Sequence, residues 1–199
     1  MSSSRNLQRT RKEILDCAWK LIVERGAEVS LAEIGKAAGI SRQSVYDHFG
    51  SRGGLLLALV RRADERLDIK ARLFTAFEEE DPALRLQTTI DVWIVFVQEI
   101  FPVATDLIRL RTTDEAASDA WEDRMSELRE WLLVLTGSLE KDGVLQNGWT
   151  AEAASEFLWA SFSVQMWGLL TVDCNWQADT ALKTLKRTSC QSLLVKEGR

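Results

Sequence analysis

The sequence predicts an all-α protein: an N-terminal three-helix domain carrying a helix-turn-helix, fused to a larger helical body. Three observations carry that prediction. Only two prolines, Pro82 and Pro102, occur in 199 residues. The long stretches around them are rich in Ala, Leu, Glu and Arg, which favour helix. The one segment whose residue types also suit a buried strand, V-W-I-V-F-V at 92–97, has no second strand candidate to pair with.

Residues 1–6 are polar and read as disordered. The first helix is predicted over 7–25, because Ile14, Leu15, Ala18, Trp19 and Ile22 fall at helical spacing and Gly26 follows as a stop. A second helix begins at Ser30. There S-L-A-E makes a capping box in which Ser30 and Glu33 each satisfy a free backbone N–H. Leu31, Ile34 and Ala38 form its inner face, and Gly39 supplies the positive φ of a tight turn. Ser41 caps a short third helix ending near Phe49. A fourth helix is expected over 51–79, followed by an acidic break at 78–82. A fifth is expected over 83–100, a short one from Pro102 to 112, and a long amphipathic one over 115–141. The last two are a Thr150-capped helix to 172 and a helix over 179–195. No internal repeat or low-complexity tract is present.

Charge divides the chain in the same way. Residues 1–62 hold eleven Lys/Arg and six Asp/Glu, a net of +5. Residues 63–199 hold fourteen and twenty-four, a net of −10. A basic head on an acidic body points to a head that meets a polyanion. Cys17, Cys174 and Cys190 are too few and too scattered for a metal motif or a disulfide framework. Reduced, mostly buried thiols in a cytoplasmic protein are expected. The longest uncharged run, 157–172, is sixteen residues. That is short of the roughly 20 that a membrane span needs, so no membrane association is expected.

The most informative segment is S-L-A-E-I-G-K-A-A-G-I-S-R-Q-S-V-Y-D-H-F, residues 30–49. A helix, a glycine turn and a second short helix make the unit that lays one helix in the major groove of double-stranded DNA. The second helix offers Arg42, Gln43, Ser44, Tyr46, Asp47 and His48, with Ser41 at its cap. Arginine can donate two hydrogen bonds to guanine and glutamine can pair with adenine. Ser, Tyr and His side chains reach phosphate oxygens, which fix register without reading sequence.

On these residues the N-terminal 7–67 resembles the DNA-binding domain of the tetracycline-repressor family of bacterial regulators. The shared features are R-x-x-I-L-x-x-A from Arg11, Gly26 after the first helix, the A-G-I-S turn, and Y-D-H-F followed by Leu55. Arg52 stands where the family usually has Lys. The resemblance implies that Arg42, Gln43 and Ser44 face the bases. It implies that Tyr46, His48 and Arg52 grip the DNA backbone, helped by Ser30, and that Phe49 is core. Two features depart from the family pattern. Asp47 is an acid on the DNA side. It is read as accepting from a cytosine amino group, as repelling wrong sites, or as an inert solvent-facing residue. Gly53-Gly54 opens the fourth helix at a cost of roughly 1–2 kcal/mol, which suggests a soft junction between head and body.

For the body, 68–199, the resemblance implies ligand binding and dimerisation. Seven of eight tryptophans lie after residue 90, which suits a cavity for an apolar or aromatic small-molecule effector. Candidate lining residues are Trp93, Phe96, Trp131, Phe162, Met166 and Trp167. Asp91 and Gln98, seven apart in the fifth helix, are the polar groups to orient a ligand. The helix over 150–172 is apolar nearly all round and needs cover on both sides. With the helix over 179–195 it predicts a homodimer whose two heads read a palindromic operator. No catalytic constellation competes: the single histidine, His48, lies in the DNA motif, and there is no phosphate loop or H-E-x-x-H. No cofactor and no metal are expected. The function expected is a ligand-released repressor. The alternatives are a ligand-independent or architectural DNA-binding dimer, and an enzyme with a vestigial head.

Overall fold

A computed structural model describes residues 2–26 and 29–195. It is all-α. The helices are α1 (Ser2–Arg25), α2 (Leu31–Ala37), α3 (Arg42–Phe49), α4 (Arg52–Leu67), α5 (Ile69–Phe77) and α6 (Pro82–Leu110). They continue with α7 (Glu115–Lys141), α8 (Ala151–Ser161), α9 (Val164–Gly168), a π-helical segment (Leu169–Asp173) and α10 (Ala178–Leu193). Among the described residues the only extended pairing is an isolated bridge between Leu145 and Leu194. Among the described residues no helix is long and apolar enough to cross a membrane, and no group of His, Cys, Asp and Glu is placed to hold a metal ion.

Four element boundaries differ from the sequence expectation, each for a physical reason. Residues 2–6, expected to be disordered, form the opening turns of α1. The expected helix over 51–79 breaks at Asp68, which adopts the left-handed conformation (φ 49°, ψ 45°). Aspartate is one of the few residues that tolerates it. The expected break before Pro102 does not occur, and α6 runs straight through the proline. Interior proline costs a helix about 3 kcal/mol. Here the helix is held on either side by buried Val97, Ile100, Val103, Ala104 and Leu107. The single helix expected over 150–172 is interrupted at Ser163, whose hydroxyl accepts from the Met166 N–H at 3.1 Å and so starts α9 afresh.

The chain forms two compact units that do not follow one cut in the sequence. The first comprises residues 1–63 and 100–123; the second comprises 64–99 and 124–199. In the first unit, Ile14, Ala18, Ile22, Val29, Ile34, Val45, Leu55, Leu56 and Leu59 are fully buried. Burying each large aliphatic contributes roughly 1.5–3 kcal/mol. In the second unit, Leu86, Ile94, Val97, Leu139, Ala154, Ala181 and Leu193 play that part. Of the cysteines, Cys17 and Cys190 are half-buried, whereas Cys174 is exposed, contrary to the expectation of buried thiols. Burial pushes the Cys190 thiol above its ordinary range.

Candidate nucleic-acid interface

The helix-turn-helix is built by two caps and two glycines. Ser30 Oγ accepts from the Glu33 N–H at 3.2 Å, while Glu33 Oε2 accepts from the Ser30 N–H at 2.9 Å. Gly39 takes φ +70° in the turn. A Cβ at Gly35 would lie 3.0 Å from the Ile40 carbonyl oxygen, so α2 and its turn approach closely at this residue. Ser41 Oγ then accepts from the Ser44 N–H at 3.0 Å and starts α3.

The Ser30 N–H, the Arg25 guanidinium and the Ser30 hydroxyl together hold the Glu33 carboxyl at about 2, down from an ordinary 4.5. A group held low in the folded state stabilises above its unfolded value and loses that contribution as pH falls through the folded one. The contribution from Glu33 is therefore present above about pH 4.5 and is lost toward pH 2. Glu33→Gln is expected to flatten the pH dependence of thermal unfolding within that window. A parallel wild-type and variant profile from pH 4.5 to 2 would count against the box.

α3 presents Arg42, Gln43, Tyr46 and Asp47 to solvent, with Ser44 and His48 half-buried beside them. Tyr46 is 53% exposed, far more than a ring placed for packing. Gln43 Nε2 donates to Asp47 Oδ1 at 2.8 Å. Asp47 is thus solvent-exposed and accepts from the neighbouring amide. Phe49 packs under the Arg11 guanidinium, 4.3 Å from the ring centroid. Arg11 Nη1 also donates to the His48 carbonyl oxygen at 2.7 Å. Arg11 therefore fixes the end of α3 from α1. Its signal was present in the R-x-x-I-L opening, although nothing in the spacing named its partner.

Arg52 is engaged within the protein. Its Nε donates to Asp106 Oδ2 at 3.0 Å, its Nη2 pairs with the same oxygen, and its Nη1 donates to the Val29 carbonyl. Asp106 is fully buried and also takes Arg109 Nη2 at 3.1 Å. A buried carboxylate must be paired, and Arg52 is the cation that reaches it from α4. Arg52 thereby ties α4 to the segment just before Ser30. Gly53 and Gly54 likewise have a packing reason. A Cβ on Gly53 would stand 2.6 Å from the Ala117 nitrogen, and one on Gly54 would stand 2.1 Å from the Phe49 oxygen.

In the second unit the two expected polar ligand groups are accounted for otherwise. Lys186 Nζ donates to both Asp91 carboxylate oxygens, at 2.7 and 2.9 Å, and Gln98 is exposed. Phe96, Phe162 and Trp167 are buried, and Trp93 and Met166 are half-buried. Trp93 Nε1 donates to the Phe162 carbonyl at 3.1 Å, and Trp131 packs on Phe77 with centroids 5.4 Å apart. A cavity of about 690 Å³ lies between α7 and α8, lined by Arg129, Leu133, Glu152, Glu156 and Trp159 among others. None of the eight expected pocket residues lines it. The Trp159 Nε1 is buried without a hydrogen-bond partner, while Arg129 stacks on its ring at 4.3 Å.

Comparison with known proteins places this arrangement. Residues 14–59 match the family model described as bacterial regulatory proteins, tetR family. The chain is 36% identical over 76 residues to the HTH-type transcriptional regulator TtgR of Pseudomonas putida. That match covers 38% of this chain and 36% of TtgR, so it spans about a third of that relative. It is 30% identical over 167 residues to the HTH-type transcriptional repressor BepR of Brucella suis, covering 76% of each. The crystal structure of NalD from Pseudomonas aeruginosa superposes with a TM-score of 0.69 at 24% identity, covering 96% of this chain and 98% of NalD. With the helix-turn-helix caps, the exposed recognition face and a relative matched along three quarters of its length, the chain belongs to the tetR family of bacterial transcriptional regulators.

Proposed function

We propose that the protein is a homodimeric repressor that binds a palindromic operator through α3 and is released from it by an apolar or aromatic small molecule. The observation that carries the DNA-binding part is the exposed face of α3, with Arg42, Gln43, Tyr46 and Asp47 held outward by the Ser41 cap and by Arg11. Arg42, Gln43 and Ser44 read bases; Tyr46 and His48 take phosphates, with Ser30 and Ser41 at the helix N-termini beside them. BepR carries repressor in its name, and NalD is described as the secondary repressor of a multidrug efflux pump. Both favour repression over activation.

The dimer is proposed to form through the faces of 150–172 and 179–195. Leu169 and Val172 are more than half exposed and Trp176 is 38% exposed, an apolar strip that a second copy would cover. The effector would enter among Trp93, Phe96, Trp131, Phe162, Met166 and Trp167, without Asp91 or Gln98. Ligand shifts the equilibrium only if it binds the DNA-free form more tightly. The ligand-independent dimer is the second reading. It is favoured by the engagement of Asp91 with Lys186 and of the Trp93 ring nitrogen with Phe162, which leaves those polar groups already used.

The test is to sequence the genomic DNA retained by the purified protein. The proposal expects enrichment of a few short segments that share an inverted repeat. Uniform recovery across the genome would contradict it. Thermal shifts with a panel of aromatic small molecules then separate the two readings: stabilisation that is lost on operator addition favours the first, and no shift favours the second.

A further inference from the structure

The Gln43–Asp47 pair has a consequence for which base is read. Among the described residues the Asp47 carboxylate has one hydrogen-bond donor, the Gln43 amide at 2.8 Å, and no ion pair. A carboxylate only accepts, so the amide must turn its nitrogen toward Asp47. That leaves the Gln43 oxygen, its second amide N–H and the remaining carboxylate lone pairs on adjacent turns of an exposed helix face, with acceptors in the majority. The two side chains together carry a formal charge of −1 and present more acceptors than donors. Residues of the first turns of a recognition helix are the ones that meet base edges.

We infer that Gln43 and Asp47 act as one acceptor unit that selects cytosine in the operator, rather than Gln43 alone reading adenine. In the major groove guanine shows two acceptors, N7 and O6, and would be repelled. Adenine shows an amino donor beside the N7 acceptor, which is unfavourable next to a carboxylate. Thymine offers an acceptor and a methyl group. Cytosine shows its N4 amino group and no acceptor of its own. The inference rests on the reading of α3 as the recognition helix. It also gives Asp47 a positive role in a head whose charge is otherwise basic. The cost is repulsion from phosphate, which falls equally on all sequences and so lowers affinity without changing discrimination.

The experiment is selection of a randomised DNA duplex library by the full-length wild-type protein, by Asp47→Ala and by Gln43→Ala, with the retained duplexes sequenced. Affinity for unselected duplex is measured alongside by fluorescence anisotropy. Both side chains are exposed, so both variants should fold; circular dichroism checks this. The wild type is expected to enrich a motif with one cytosine position per half-site, favoured by roughly tenfold or more. Asp47→Ala should lose cytosine at that position, gain adenine there, keep the other positions, and bind unselected duplex at least as tightly as the wild type. Gln43→Ala should weaken the same cytosine preference. If Asp47→Ala returns the wild-type motif unchanged, Gln43–Asp47 is a surface pair that only supports the helix, and the inference falls. If the wild type enriches no motif, the recognition-helix reading falls, and the inference with it.

Discussion

Asp106→Ala is expected to lower the free energy of unfolding by about 3–5 kcal/mol, the range for removing one partner of a buried ion pair. Asp106 is fully buried, whereas Arg52 keeps 17% exposure. The alanine therefore removes the carboxylate that faces a largely buried guanidinium. The effect should reach the DNA-binding face, because Val29 immediately precedes the Ser30 cap. Operator affinity should fall together with stability. Asp106→Leu combined with Arg52→Met should be less damaging than Asp106→Ala alone, since replacing both charges with apolar groups removes the unpaired cation. Urea denaturation of the three proteins checks this. A single variant within about 1 kcal/mol of wild type would mean that the pair contributes little.

Gly53→Ala should also destabilise, against the usual direction. In an exposed helix, glycine to alanine gains about 1 kcal/mol. At Gly53 the new Cβ would meet the Ala117 nitrogen at 2.6 Å and its Cα at 2.8 Å. These are backbone atoms of the start of α7 and cannot swing aside. Overpacking of this kind costs typically 1–3 kcal/mol, so the net change is expected to be a loss despite the gain in propensity. The same contact argues against a soft junction. Amides 53–58 should exchange as slowly as those in the middle of α4, because Gly53, Leu55 and Leu56 are buried and the Gly54 N–H is bonded to Ser51 Oγ. Fast exchange there, or a stabilised Gly53→Ala, would restore the soft-junction reading.

The legible parts of the sequence were those that depend on near neighbours. The Ser30–Glu33 box, the Ser41 and Thr150 caps and the Gly39 turn are local hydrogen bonds and local φ values. Each stands in the structure as the residue types imply. What was not legible depends on residues far apart in the chain. The partner of Arg52 is 54 residues away, so its charge read equally well as a phosphate grip. The partner of Asp91 is 95 residues away, and Lys186 turned a supposed ligand group into a salt bridge. The chemistry of Pro102 by itself predicts a helix start, and packing along α6 overrides it. Asp68 carries no glycine or proline signal, so the break after α4 had nothing to announce it. The Gln43–Asp47 bond was within reach, since four residues on a helix place two side chains together.

The central claim is that α3 reads DNA sequence, with Arg42 as a base reader and Tyr46 as a phosphate contact. The most direct test compares wild type, Arg42→Ala and Tyr46→Phe on one selected duplex and on a scrambled duplex of the same length, at fixed salt. The account predicts that Arg42→Ala loses about 1–3 kcal/mol on the selected duplex and little on the scrambled one, so that the ratio of affinities collapses. It predicts that Tyr46→Phe weakens both about equally and leaves the ratio intact. Equal losses on the two duplexes for Arg42→Ala would contradict it.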